Sequence, residues 1–197
     1  MFRLLAGRLT ADQQCVLAGE VLAALALAPP YRPVVPGGKA MSVIMSNLGP
    51  LGWVTDAERG YRYQATHPVT GETWPPIPAL LLDLWAEHAD AVTPPDACLV
   101  NLYDADARMG LHQDKDEADF SLPVLSVSLG DTALFRIGGP KRSDPTASVR
   151  LASGDVCLLE GEARLAYHGI DRVLAGSSLL LPGGGRMNLT LRRAAPR

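Results

Sequence analysis

The stretch Val124-Leu-Ser-Val-Ser-Leu-Gly-Asp-Thr-Ala-Leu-Phe-Arg-Ile137 is two strand-like runs hinged at Gly130-Asp131. Leu125, Val127 and Leu129 alternate with Ser126 and Ser128, the period of a half-buried strand. The same grammar recurs on both sides. Cys98 to Tyr103, Val149 to Leu151, Val156 to Leu159, Leu165 to His168, Ser178 to Leu181 and Met187 to Leu191 read as further strands. Gly138-Gly139, Ser153-Gly154 and Gly183-Gly184-Gly185 punctuate them as turns. Short strands at close intervals predict a mainly β chain with flanking helices, folded as a double-stranded β-helix or jelly roll.

Two helices flank this run. Thr10-Ala-Asp-Gln13 has the form of a capping box. Val16, Leu17, Val21, Leu22 and Leu25 follow at helical spacing, and Pro29-Pro30 ends the helix. A second helix is expected after Pro78, with Leu81, Leu82, Leu84 and Trp85 along it, closing near Thr93-Pro94-Pro95. Between the helices, Ser42 to Ser46 reads as a strand, and Leu51 to Trp53 and Tyr61 to Tyr63 as short aromatic pieces. All 197 residues fit one domain.

The formal net charge of −3 gives no global attraction for phosphate, so a nucleic acid partner would need a local basic surface. Cys15, Cys98 and Cys157 are scattered and form no CxxC pair, which reads as reduced thiols in a cytoplasmic protein. The apolar run Val21 to Ala28 is too short to span a bilayer.

His112-Gln-Asp114 and a later His168 supply two imidazoles and a carboxylate. If they meet, they leave adjacent positions on a metal open, which is the pattern of non-haem Fe(II) oxygenases rather than of a closed zinc site. Hydrogen-bonded structural histidines remain the alternative on spacing alone. His67 and His88 look structural. Near the end, Arg186, Asn188, Thr190 and Arg192 share one face of a strand, with Met187, Leu189 and Leu191 on the other. Two guanidiniums there suit carboxylates, and a solvent-facing strand is the plainer reading. Asn101 and Tyr103 alternate on another strand and could point into the same cavity.

Taken together, these stretches resemble the AlkB family of Fe(II)- and 2-oxoglutarate-dependent dioxygenases, of the bacterial type. The likeness runs from about Pro33 to Arg192. Val35-Pro-Gly-Gly-Lys-Ala-Met-Ser-Val43, Leu51-Gly-Trp53, Asn101-Leu-Tyr103, Leu111-His-Gln-Asp-Lys-Asp-Glu117, Tyr167-His-Gly-Ile170 and Arg186-Met-Asn-Leu-Thr-Leu-Arg192 carry it. The resemblance implies that His112, Asp114 and His168 hold Fe(II). It implies that Arg186 pairs with the distal carboxylate of 2-oxoglutarate, with Tyr103 and Asn188 beside it, and that Arg192 and Asn101 lie by the carboxylate next to the keto group. O2 is the oxidant. Trp53 would stack on a damaged base opposite His112, Asp116 would meet its exocyclic amino group, and Tyr61, Arg142, Met45 and Lys115 would line the substrate side. Residues 33–75 would form a nucleotide-recognition lid. The implied reaction is oxidative dealkylation of 1-methyladenine and 3-methylcytosine in alkylated DNA, single-stranded by preference, with RNA as a further candidate. It releases formaldehyde and succinate. A cytoplasmic monomer is expected. Val35 and Lys39 depart from the polar or aromatic residues common at those positions, and the stretch before the first helix is short for the family. The alternatives are the same cofactor chemistry on a protein side chain or small metabolite, and a non-catalytic module that binds alkylated bases.

Overall fold

A computed structural model describes residues 1–90 and 92–196. Twelve strands and two α-helices follow in the order β1 (Phe2–Leu5), α1 (Ala11–Leu27), β2 (Ile44–Leu48), β3 (Gly52–Asp56), β4 (Gly60–Gln64), α2 (Ala79–His88), β5 (Ala97–Tyr103), β6 (Met109–His112), β7 (Val124–Gly130), β8 (Thr132–Ile137), β9 (Ala147–Leu151), β10 (Val156–Leu159), β11 (His168–Leu174) and β12 (Arg186–Arg192). A six-stranded sheet runs β1-β10-β7-β12-β5-β2, a four-stranded sheet runs β6-β11-β8-β9, and β3-β4 is a separate hairpin. Every strand pair in these sheets is antiparallel. This is the expected double-stranded β-helix.

The opening stretch shows how it closes. β7 lies in the large sheet and β8 in the small one, so the Gly130-Asp131 hinge carries the chain from one layer to the other. Gly130 adopts φ +83, a left-handed conformation open to glycine. A Cβ there would also lie 2.5 Å from the Gly185 carbonyl oxygen.

Alternation sorts the large sheet into two faces. Cys98, Val100, Leu125, Val127, Leu129, Met187, Leu189 and Leu191 pack under the helices with Leu17, Val21, Leu81, Leu84 and Trp85. The opposite face presents Leu99, Tyr103 and Cys157 toward Ala133, Phe135, Leu151, Ile170 and Val173 of the small sheet. A fully buried side chain of this size contributes about 1.5–3 kcal/mol. Helix α1 starts with the capping box: Gln13 N–H donates to Thr10 Oγ1 at 3.2 Å, and Thr10 N–H donates to Gln13 Oε1 at 3.0 Å. It buries Leu17, Val21 and Leu25 but leaves Val16 and Leu22 exposed, so its apolar stripe is wider than its buried face.

Three strand readings need correction. Ser42 to Ser46 shifts to Ile44–Leu48. Leu165 to His168 is not a strand: a 3-10 turn at Gly161–Ala163 precedes it, and β11 only begins at His168. Ser178 to Leu181 is a loop. The buried Asp131 carboxylate accepts from the backbone N–H groups of Gly176, Ser178 and Gly185, giving them a partner other than a sheet neighbour. The aromatic pieces around Trp53 and Tyr61 prove to be the β3-β4 hairpin, in register Trp53↔Tyr63 and Thr55↔Tyr61. Among the described residues, no helix is long and apolar enough to cross a membrane.

Candidate metal centre and its two cavities

Strand β6 ends on His112 and β11 begins on His168, and the two residues are register partners. Gly169 permits that approach: a Cβ on it would lie 2.4 Å from the Met109 carbonyl oxygen and 2.9 Å from that of Gly110. Asp114 lies two residues past the strand. One ligand atom from each of His112, Asp114 and His168 lies within 4.8 Å of the others. Nε2 of His112 is 3.7 Å from Asp114 Oδ1, and Nε2 of His168 is 3.8 Å from Asp114 Oδ2.

Both histidines are preset as ligands. His112 Nδ1 sits 2.9 Å from the Gly110 carbonyl, and His168 Nδ1 sits 2.9 Å from the Ala166 carbonyl. A carbonyl only accepts, so each Nδ1 carries the proton and each Nε2 keeps its lone pair for the shared point. Burial drives the His168 pKa down to about 4, against an opposing pull from Asp114, so the ring is neutral at neutral pH. Burial alone would raise the Asp114 carboxyl. Arg192, then His168, His112 and Arg164, outweigh it and hold the group below the usual carboxylate range.

A cavity opens on one side of this triad, walled by Asn101, Tyr103, Arg186, Asn188, Thr190 and Arg192. Register explains the grouping: Asn188 faces Asn101 and Arg186 faces Tyr103 across β12 and β5. Arg186 is buried. Its Nη2 donates to Ser128 Oγ at 2.9 Å and its Nη1 to the Leu151 carbonyl at 3.3 Å, while Nε has no partner. Burial lowers its pKa, with Tyr103 working against the shift. Burial likewise pushes the Tyr103 phenol up to about 12. Arg192 Nη2 lies 2.9 Å from Asp114 Oδ1, and Asn101 Oδ1 is buried without a hydrogen bond.

A second cavity meets the first at Leu99, Met109, His112, Asp114 and Arg192. Met45, Trp53, Tyr61, Lys115, Asp116 and Arg142 all line it. The Trp53 and Tyr61 rings stack at 5.6 Å and 22°. Trp53 Nε1 donates to Asp116 Oδ2 at 2.8 Å. Arg142 donates to the Leu111 carbonyl at 2.7 Å, and its guanidinium sits over the Tyr167 ring. Every residue to which the resemblance gave a metal, co-substrate or base-binding role thus lines one cavity or the other. His67 and His88 do not: His67 Nε2 meets the Pro29 carbonyl, and His88 Nε2 accepts from Arg8.

A family model described as the 2OG-Fe(II) oxygenase superfamily matches residues 2–192. The alpha-ketoglutarate-dependent dioxygenase AlkB homolog of Caulobacter vibrioides is 62% identical over 188 residues, covering 95% of this chain and 85% of that protein. The alpha-ketoglutarate-dependent dioxygenase AlkB of Escherichia coli is 46% identical over 170 residues, 84% of this chain and 78% of its own. The chain belongs to the AlkB family of Fe(II)- and 2-oxoglutarate-dependent dioxygenases. The solved structure of OsALKBH1 superposes with a TM-score of 0.81 at 32% identity, covering 97% of each chain.

The AlkB cofactors fit the donor chemistry. Two imidazoles that present Nε2 and a carboxylate on one side suit Fe(II) with open positions. The unpartnered Nε of the buried Arg186 is a donor that a carboxylate of 2-oxoglutarate would engage. Sequence reasoning missed Tyr63, Glu117 and Arg164 behind the metal centre. Arg164 donates to the Asp114 carbonyl at 2.6 Å and the Leu122 carbonyl at 2.9 Å, and pairs with Glu117 at 3.0 Å. Nothing in the local sequence marks Arg164, since its partners lie 42 to 50 positions away.

Proposed function

We propose that this enzyme removes N-linked alkyl groups from 1-methyladenine and 3-methylcytosine in DNA, preferring single strands and accepting RNA as a further substrate, with release of formaldehyde and succinate. The observation that carries it is the second cavity. It meets the metal centre at one end and is walled by an aromatic stack with a carboxylate beside it.

Bound iron, 2-oxoglutarate and O2 supply the oxidation of an unreactive C–H bond. The chain's own residues do the rest. Arg186, with Tyr103 and Asn188, takes the distal carboxylate of 2-oxoglutarate, and Arg192 with Asn101 takes the carboxylate beside the keto group. His112, Asp114 and His168 hold the metal. Lesions on the Watson–Crick edge weaken pairing, so their extrusion from a duplex costs less than that of a normal base. The extruded base stacks on Trp53, opposite His112, as single-strand binders use aromatic platforms. Trp53 Nε1 occupies one Asp116 oxygen, which leaves the other to accept from the exocyclic amino group. The same carboxylate offsets the positive charge that alkylation leaves on the ring. Met45 and Tyr61 close the walls, while Lys115, Arg142 and Lys39 supply the local positive charge that an acidic chain needs near phosphates. Within the lid at 33–75, Ile44–Leu48 is tied into the large sheet, and the β3-β4 hairpin carries Trp53 and Tyr61 along the second cavity. The three cysteines are free thiols, in keeping with a cytoplasmic monomer.

The test is lesion-dependent turnover. Oligonucleotides carrying 1-methyladenine or 3-methylcytosine should raise succinate release over the undamaged strand, with formaldehyde formed one for one. Succinate release that ignores the lesion, or responds only to a peptide or small metabolite, would overturn the assignment.

A further inference from the structure

Asp114 is a metal ligand, yet Arg192 already sits on it at 2.9 Å. A buried carboxylate closed into a pair with a guanidinium is a poorer ligand, and a guanidinium so committed is a poorer anchor for a second anion. The chain places a second buried carboxylate on the same cation. Glu117 Oε1 lies 3.5 Å from Arg192 Nε, and Glu117 Oε2 lies 3.0 Å from Arg164 Nη2. Tyr63 donates its hydroxyl to Glu117 Oε1 and accepts from Arg192 Nη1 at 3.3 Å. Arg164 also grips the Asp114 carbonyl, so the spacing between Asp114 and Glu117 is fixed from behind. Two carboxylates and two guanidiniums therefore form one buried, charge-balanced group, with Arg192 shared between the acids.

We infer that Glu117 is a positioning residue: it draws Arg192 partly off Asp114, keeping the aspartate available to the metal and the guanidinium available to the co-substrate. This rests on the assignment of Arg192 to 2-oxoglutarate made above. Its specific consequence is that loss of the Glu117 charge lets Arg192 collapse onto Asp114. Metal and co-substrate binding then weaken together, although Glu117 touches neither.

The experiment compares wild type, Glu117→Gln, Tyr63→Phe and Arg192→Lys. Mn(II) affinity is measured by titration without oxygen, and KM for 2-oxoglutarate and kcat are measured separately. Glu117→Gln should weaken Mn(II) binding by about 10–100-fold, the usual cost of losing a group that orients a metal ligand. It should raise KM for 2-oxoglutarate by a similar factor, with a smaller fall in kcat at saturation. Tyr63→Phe, which loses one contact to each partner, should move both quantities the same way by less. A role confined to folding would lower Tm and leave the Mn(II) affinity of the folded fraction at the wild-type value. That result in Glu117→Gln overturns the inference. If Glu117→Gln does not fold, unchanged metal affinity and KM in Tyr63→Phe overturn it instead. Arg192→Lys separates the layers. A raised KM there with none in Glu117→Gln defeats only the positioning role, whereas an unchanged KM there removes Arg192 from the co-substrate and defeats both.

Discussion

Replacing Arg186 by Met should move stability and co-substrate affinity in opposite directions. Arg186 is 1% exposed, and its guanidinium belongs to none of the ion pairs among the described residues. Its partners are a serine hydroxyl and a backbone carbonyl, with Nε unsatisfied. In the ligand-free protein it is a buried charge without a counter-ion. Exchanging buried charge for an apolar side chain of similar volume is neutral to stabilising by about 1–4 kcal/mol. In a chain of this size each kcal/mol shifts Tm by about 2–4 °C. With 2-oxoglutarate bound, the same guanidinium has its anion. Deleting one partner of a buried pair costs about 3–5 kcal/mol, which weakens Kd by roughly two to three and a half orders of magnitude. The assay is calorimetric titration of 2-oxoglutarate into Mn(II)-loaded protein, with thermal unfolding run with and without ligand. At 100 times Kd, ligand stabilises the wild type by about 2.7 kcal/mol, or about 5–11 °C, and the variant should show no such shift at that concentration. A variant that binds within roughly threefold of wild type, or that is clearly less stable than wild type without ligand, would refute the reasoning.

Trp53→Ala removes one stacking platform worth about 1–3 kcal/mol. KM for a lesion oligonucleotide should rise about 5–150-fold while 2-oxoglutarate affinity measured by titration stays put. Asp116→Asn should lose the preference for cationic over neutral lesions more than it loses metal, and an unchanged turnover ratio in a mixed-lesion competition would remove the charge role. Metal-free protein should lose stability as pH falls from 6.5 toward 4. His168 is held at about 4 by burial, so the unfolded chain binds more protons in that window and the contribution present above it is lost. Unfolding in denaturant across that range, compared with His168→Gln, checks the slope.

Strands β5, β7, β10 and β12 of the large sheet and both helix starts were legible in the sequence because each rests on a local rule. The Thr10 capping box and the alternation in Arg186–Arg192 both appear as read. What stayed hidden lacks a period. Strand β11 carries a register shift between Ile170 and Arg172 that breaks its alternation, and β6 is only four residues long. The Ser178 loop is organised by Asp131, 47 positions away, so no window around Ser178 could reveal it. The metal ligands and both arginines could be picked out because the family spaces them in a fixed order. Tyr63, Glu117 and Arg164 could not, because their meaning lies in which buried charges they divide and not in their neighbours along the chain.

The tight contact at Gly169 gives the metal centre a weak point that donates nothing to iron. No side chain fits between β11 and β6 without prising the two strands apart, and the imidazoles ride on those strands. A random-mutagenesis screen for proteins that fold but fail to retain metal should therefore recover substitutions at 169 alongside those at 112, 114 and 168, and the mildest replacement available, a single methyl, should already be enough.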